Sequence, residues 1–413
     1  MTNIRPQPDV SYAAPRFELN PNAHRIGSGT EALAVARQLA DEFAVEAAER
    51  DRERRLPAEE LDRFSSTGLW AITVPRAYGG AEVSMATLAK VIAIISAADP
   101  SLGQLPQNHF AALDAIRVTA TEEQKRLWFG RVLQGYRLGN AFSEAKSKHV
   151  GAFETTLRRD GNAYIVNGEK FYATGALFAH FIHIGASDEN GNVFLAIARR
   201  DAPGLTIVDN WSSFGQRTTA SGNVLIDHVR VGPEAVIPAY LGAERPTSNG
   251  SVSQIIQAAV DAGIARGAIE ETIGFVRKHV RPWIDSGQEH GYQDVFTIAQ
   301  IGDLEVKLHA AEALLERAGR AIDDILDDPA DEAVSETAVK VAEAKVLTTE
   351  IAILATNKLH ELGGTRSTLG QHNFDRHWRN ARTHTLHDPV RWKYFHVGNH
   401  LLNGVGPPRH AWS

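Results

Sequence analysis

The sequence contains no cysteine. That one absence removes disulfides, thiolate metal sites, iron–sulfur clusters and a cysteine nucleophile. Chemistry is left to His, Asp, Glu, Ser, Thr, Arg or a bound cofactor. There is also no apolar run near the ~20 residues that a membrane-spanning helix needs. The N-terminal stretch is rich in Pro and Asn and has no apolar core of the signal-peptide kind, so a cytoplasmic location is expected. Basic charge is not in excess. With 43 Lys+Arg against 50 Asp+Glu the net charge is -7, and the pI is near 6.2. This argues against nucleic acid or an anionic membrane as the main partner. No G-x-G-x-x-G dinucleotide fingerprint follows a strand-like segment, and no internal repeat or low-complexity tract interrupts the chain.

What is present reads as a folded protein of two or three domains, with 413 residues of which 43% are hydrophobic and 23% charged. Residues 1–27 read as a flexible arm. Residues 28–138 read as helical. TEALAVARQLADEFAVEAAERDRERR repeats apolar residues every three or four positions, and Thr121 with Gln124 forms a capping-box pattern. SMATLAKVIAIISAADPSLG is a buried helix stopped at Asp99-Pro100. Over residues 139–245 the period changes to short Val- and Ile-rich segments separated by Gly, Asn and Asp, an antiparallel β domain. Residues 246–413 return to long helices that bury each other best as a four-helix bundle.

Several spaced motifs resemble the acyl-CoA dehydrogenase fold. VPRAYGG (Val74 to Gly80) is similar to its inter-helix turn. AFSEAKS (Ala141 to Ser147) is similar to its flavin-contacting segment, and NGEKFYATGA (Asn167 to Ala176) to the strand that brings a hydroxyl to flavin N5. The departures indicate a branch. The dehydrogenase base motif is replaced by RNARTHTLHDPV, the R-x-Q-F-G pyrophosphate motif by FVRKHVRPW (Phe275 to Trp283), and T-E-P-x-A-G-S-D by SEAKSKHV. These segments resemble the reduced-flavin monooxygenases of bacterial sulfur acquisition, the dibenzothiophene monooxygenase family. There, W-R-N-x-R-T-H-x-L-H-D-P corresponds to Trp378 to Pro389 and F-G-x-R-x-T-x-S-G to Phe214 to Gly222.

The resemblance implies an α+β chain with an N-terminal helical domain, a central β domain and a C-terminal bundle, assembled as a homotetramer. It implies FMN as FMNH2 in preference to FAD, O2 as co-substrate, a small organosulfur substrate and a separate NAD(P)H:flavin reductase. In such an enzyme a C4a-hydroperoxide donates oxygen in a dry pocket. His387 and His109 are the candidates to hydrogen-bond it, since histidine donates or accepts near working pH. Asn140 and Ser143 would contact flavin or peroxide, Thr174 would bond N5, and Arg281 would meet the FMN phosphate across a subunit interface. Taken alone, His109 would be a cap or surface residue and Thr174 an ordinary strand threonine. His384 and His387, at i and i+3 beside Asp388, supply too few anchored ligands for zinc or iron, so no metal is expected. Asp388 with Pro389 is expected to cap the final helix and thereby aim His387 inward. Two other readings stay open: an FAD-dependent acyl-CoA dehydrogenase with Asp388 as its base, and an inactive flavin-fold binding protein.

Overall fold

The computed structural model describes residues 16–149 and 151–413. Seven helices come first: α1 (Gly29–Ala44), α2 (Ala47–Glu53), α3 (Ala58–Ser66), α4 (Met85–Ala98), α5 (Pro100–Gln104), α6 (Gln107–Thr119) and α7 (Glu122–Leu133). Ser84 starts α4 by accepting from Thr87 N. Asp99 then ends α4 and starts α5, its carboxylate accepting from Ser101 N and Leu102 N with Pro100 at the first helical position. The capping box at Thr121 and Gln124 is present at α7.

Eight strands follow: β1 (Leu138–Ala141), β2 (Thr156–Asp160), β3 (Ala163–Lys170), β4 (Phe181–Ser187), β5 (Val193–Arg199), β6 (Leu205–Val208), β7 (Asn223–Val231) and β8 (Val236–Ile237). They form one sheet in the order β6-β7-β3-β2-β4-β5-β8, with β1 beside β4. The expected antiparallel pairing holds for most neighbours, but β2 meets β4 in parallel at Thr156 and Ser187, and β1 runs parallel to β4, with Asn140 opposite His183. That is possible because β1 enters from α7, and a long excursion through β2 and β3 separates it from β4.

The last part contains α8 (Tyr240–Ala243), α9 (Asn249–His279), α10 (Val295–Asp324), α11 (Asp331–Gly363), α12 (Asp375–His384) and α13 (Val390–Asn403). α9 is the axis of the molecule and is buried on nearly every side from Ser251 to Ile269. It packs against α10, α11 and also α4, whose mean composition is strongly apolar. The α4–α9 approach depends on two glycines one turn apart. A Cβ on Gly263 would stand 2.4 Å from Ala93 O, and one on Gly267 2.3 Å from Ala97 O.

The expectation of a loose arm over residues 1–27 needs correction where the chain is described; residues 1–15 lie outside the described residues. Phe17 packs edge-on to His180 at 5.3 Å and lies under the Arg137 guanidinium at 4.8 Å. His24 N bonds Ser66 O at 2.9 Å. An aromatic anchor and a backbone bond tie this segment down before α1 begins.

Candidate active site

A cavity of about 1400 Å³ lies where the sheet meets α6, α9, α12 and the segment after α13. It brings together Asn140, Ser143, Thr174 and His387, residues far apart in the chain. Asn140, on β1, is held by its backbone N to Thr174 O at 3.1 Å and by its amide nitrogen to Tyr172 O at 3.2 Å. Thr174 Oγ1 lies 2.8 Å from Ser221 Oγ. That hydroxyl lies 2.8 Å from Thr219 Oγ1, which donates to Gln216 O at 2.9 Å. Ser143 borders the cavity where the β1 strand ends, its carbonyl accepting from Phe171 N at 3.0 Å. Glu144 borders the cavity, but its carboxylate is already engaged and is not free to act as a base. It accepts from Lys170 Nζ at 2.6 Å, Thr155 Oγ1 at 2.8 Å and Glu154 N at 2.7 Å, pinning the loop that leaves β1. Burial pushes the Lys170 ammonium down to about 8, with Glu144 opposing.

His387 is part-exposed to the cavity at the end of α12. Its Nδ1 lies 3.2 Å from Asp388 Oδ2 and its Nε2 3.3 Å from Gln257 Nε2. Asp388 is buried and does not border the cavity. Burial alone would raise its pKa, but His387 and the ammoniums of Lys345 and Lys393 hold it well below the ordinary carboxylate range. The capping expectation fails in part. Pro389, not Asp388, stands at the N-cap of α13, and no side chain caps that helix. The Asp388 carboxylate is taken instead by the neighbouring imidazole, so it aims His387 directly and not through a helix start.

Behind His387 lies a buried chain of polar groups. His384 Nδ1 lies 2.5 Å from Asp261 Oδ1, and His384 Nε2 is 2.7 Å from Gln257 Oε1 and 2.9 Å from Gln104 Oε1. Asp261 Oδ2 accepts from Lys345 Nζ at 2.6 Å and Thr349 Oγ1 at 2.9 Å. Burial would raise the Asp261 carboxyl, but Lys345 and His384 bring it down to about 2. This group was missed in the sequence, although a signal was there. In the otherwise apolar α9, Gln254, Gln257 and Asp261 recur at i, i+3 and i+7, one polar stripe down a buried helix.

Two predicted residues are not brought to the cavity. His109 is fully buried in the core. Its Nε2 donates to Trp70 O at 2.8 Å and its Nδ1 accepts from Leu138 N at 3.0 Å, so both nitrogens are spent joining α6 to β1. Burial pushes its imidazole down to about 3. Its neighbours Gln107 and Asn108 border the cavity instead. We expect His109→Phe to lower the melting temperature, costing ~2–4 kcal/mol through the orphaned Leu138 N–H and Trp70 carbonyl. Flavin affinity, read by fluorescence quenching, should stay within about twofold; a selective loss of affinity with unchanged stability would assign His109 to the site. Arg281 lies on the α9–α10 connection, exposed and outside the cavity of its own chain.

These features define a class: a three-part acyl-CoA dehydrogenase architecture whose cavity has histidine and amide groups around it. The chain belongs to the acyl-CoA dehydrogenase family, matching its N-terminal domain over residues 30–136, its middle domain over 141–229 and a C-terminal domain over 255–392. Within that family it is similar to dibenzothiophene monooxygenase of Rhodococcus erythropolis, with 33% identity covering 93% of this chain and 96% of the relative. Among solved structures it is similar to FMN-bound TdsC of Paenibacillus sp. A11-2, at TM-score 0.88 and 32% identity, covering 92% of this chain and all of the other. Methanesulfinate monooxygenase of Pseudomonas fluorescens superposes with TM-score 0.86 at 29% identity, covering 92% of this chain and 99% of the other.

Proposed function

We propose that this enzyme is a reduced-FMN-dependent monooxygenase that oxygenates a small organosulfur compound, supplied with FMNH2 by a separate flavin reductase. The observation that carries the reading is the exchange of groups at the base position. Where a dehydrogenase presents a carboxylate to its substrate, this cavity presents the His387 imidazole, and the neighbouring Asp388 is buried and bound to that ring. A carboxylate that does not reach the cavity cannot abstract a substrate proton. The dehydrogenase reading therefore lacks its base.

The cavity residues fit a flavin. Asn140 Oδ1 and both polar atoms of the Gln216 side chain are buried without a partner among the described residues. The rim of an isoalloxazine, alternating carbonyl and N–H, would satisfy them, and Thr174 Oγ1 offers a hydroxyl beside it. When bound, reduced FMN supplies the activation of O2. The chain's own part is to hold the ring through Asn140, Ser143, Thr174 and Gln216, to keep water out, and to move protons at His387. Arg281, exposed beside Trp283 (71% exposed) and Ile284 (86% exposed), suits the FMN phosphate of a neighbouring copy in a homotetramer. A cytoplasmic location agrees with dependence on a diffusible reduced flavin, and no helix among the described residues is long and apolar enough to cross a membrane.

The test is turnover under 18O2 with a flavin reductase, NADH and FMN, using a thioether, thiophene or alkanesulfinate as substrate. One labelled oxygen in the product, strictly dependent on the reductase, is expected. Flavin reduction by an acyl-CoA thioester, without label in any product, would replace this reading with the dehydrogenase.

A further inference from the structure

We propose that Gln257 is a positioning residue whose amide orientation decides whether one excess proton rests on buried His384 or on cavity-facing His387. The argument is a count of hydrogens. Asp261 accepts from Lys345 and Thr349 on one oxygen, and its other oxygen lies 2.5 Å from His384 Nδ1. An ionised carboxylate can only accept, so His384 Nδ1 carries hydrogen throughout. Likewise Asp388 Oδ2, 3.2 Å from His387 Nδ1, fixes hydrogen on that nitrogen. A single excess proton on the pair then has two places, His384 Nε2, which faces Gln257 Oε1 at 2.7 Å and Gln104 Oε1 at 2.9 Å, and His387 Nε2, which faces Gln257 Nε2 at 3.3 Å.

An amide has one accepting end and one donating end, and the partners alone decide which is which. With the Gln257 oxygen toward His384, that ring holds the proton as an imidazolium, and His387 Nε2 is a bare acceptor facing the amide N–H. After a half-turn of the amide, its nitrogen donates to a bare His384 Nε2 and its oxygen accepts from His387 Nε2–H; the Gln104 amide, whose oxygen lies 2.9 Å from His384 Nε2, has to turn its nitrogen to that ring as well. One proton has left His384 and one has arrived at His387, so the charge of the group is unchanged. Both rings border the cavity, through which water can carry the proton while no flavin fills it, whereas Gln257 is fully buried and does not. It therefore acts only through the two rings.

Charged groups face both rings. Burial and the Lys345 ammonium disfavour charge on His384, with Asp261 opposing. Asp388 Oδ2 lies 3.2 Å from His387 Nδ1, and Lys393, whose Nζ donates to Trp412 O at 2.7 Å, lies beyond it. His387 is then an acceptor in one orientation and a donor in the other. Such a ring can take up a proton at one stage of oxygen insertion and return it at another.

The catalytic use of this switch rests on the monooxygenase reading, but its existence is read without flavin or substrate. The full chain labelled with 15N-histidine is titrated between about pH 5 and 9, and the two rings are assigned by signals lost in His384→Gln and His387→Gln. In the wild type both rings should shift with one common midpoint. In Gln257→Leu, or Gln257→Met if the former does not fold, they should titrate separately. In that variant kcat at pH 7 should fall roughly three- to tenfold, the weight of one hydrogen bond, with a displaced pH profile and with KM and oxidised-FMN affinity unmoved. Separate midpoints in the wild type, or identical titrations in wild type and variant, would overturn the proposal. A common midpoint in a protein that oxygenates nothing would leave the switch standing and overturn the functional reading.

Discussion

His387→Ala is expected to keep FMN affinity within about twofold while sending most reducing equivalents from FMNH2 to hydrogen peroxide. The ring lines the cavity and shares no hydrogen bond with the groups that fit the flavin, namely Asn140, Thr174 and Gln216, so its loss breaks none of the bonds that hold them. What it removes is the one imidazole at that end of the cavity that Asp388 and Gln257 hold in a fixed direction. A positioned acid or base contributes roughly 10²–10⁴-fold to rate. Alanine also leaves space for water beside the reacting group, which favours release of peroxide over transfer of oxygen. The measurement pairs product yield with peroxide yield per NADH consumed. Wild-type coupling in this variant would remove His387 from the chemistry.

Lys345→Met is expected to be the most destabilising of these substitutions. Lys345 and Asp261 are both completely buried and 2.6 Å apart. Removing the ammonium strands a carboxylate in the core, a loss of ~3–5 kcal/mol. In a chain of this size it reads as a large fall in apparent melting temperature and in half-life on heating. The double variant Asp261→Asn/Lys345→Met should recover part of the loss, because it removes both charges. The same carboxylate predicts an acid limb. Its folded value, about 2, lies below the ordinary 3.8. Its contribution is thus complete above about pH 4 and is lost as pH falls from there toward 2. In Lys345→Met that loss should begin at higher pH. Equal acid stability in wild type and variant would show that Lys345 is not what holds Asp261 ionised.

Local rules made the three-part architecture legible. Apolar spacing, the Asp99-Pro100 stop and the Thr121–Gln124 box are short-range, and each appears in the structure where the sequence puts it. The parallel pairing of β1 with β4 was not legible, because nothing within LGNA says which distant strand it will meet. The site divided along the same line. Asn140, Ser143, Thr174 and His387 were found through motifs and do share one cavity. His109 sits in a motif just as regular, yet its backbone partners Trp70 and Leu138 lie 39 and 29 residues away and give the residue no local mark. Asp388-Pro389 has every local feature of a helix cap. A stronger nearby acceptor need, that of the His387 ring, took the carboxylate instead. Gln257 was passed over because a glutamine among alanines and isoleucines looks like helix filler until Asp261 and Gln254 are seen to share its face.

The glycine-mediated seam between α4 and α9 also sets a timetable for synthesis. α4 is finished at Ala98, but the surface it must cover is not complete until His279 has been made. At roughly 5–20 residues per second the ribosome leaves that apolar helix without its partner for about 10–35 s. During that interval the growing chain displays Val91, Ile92 and Ile95, which in the finished enzyme never meet water. A cell that overproduces this protein should gain more soluble enzyme from slower translation or added trigger-type chaperone than from any change at the surface of the folded molecule.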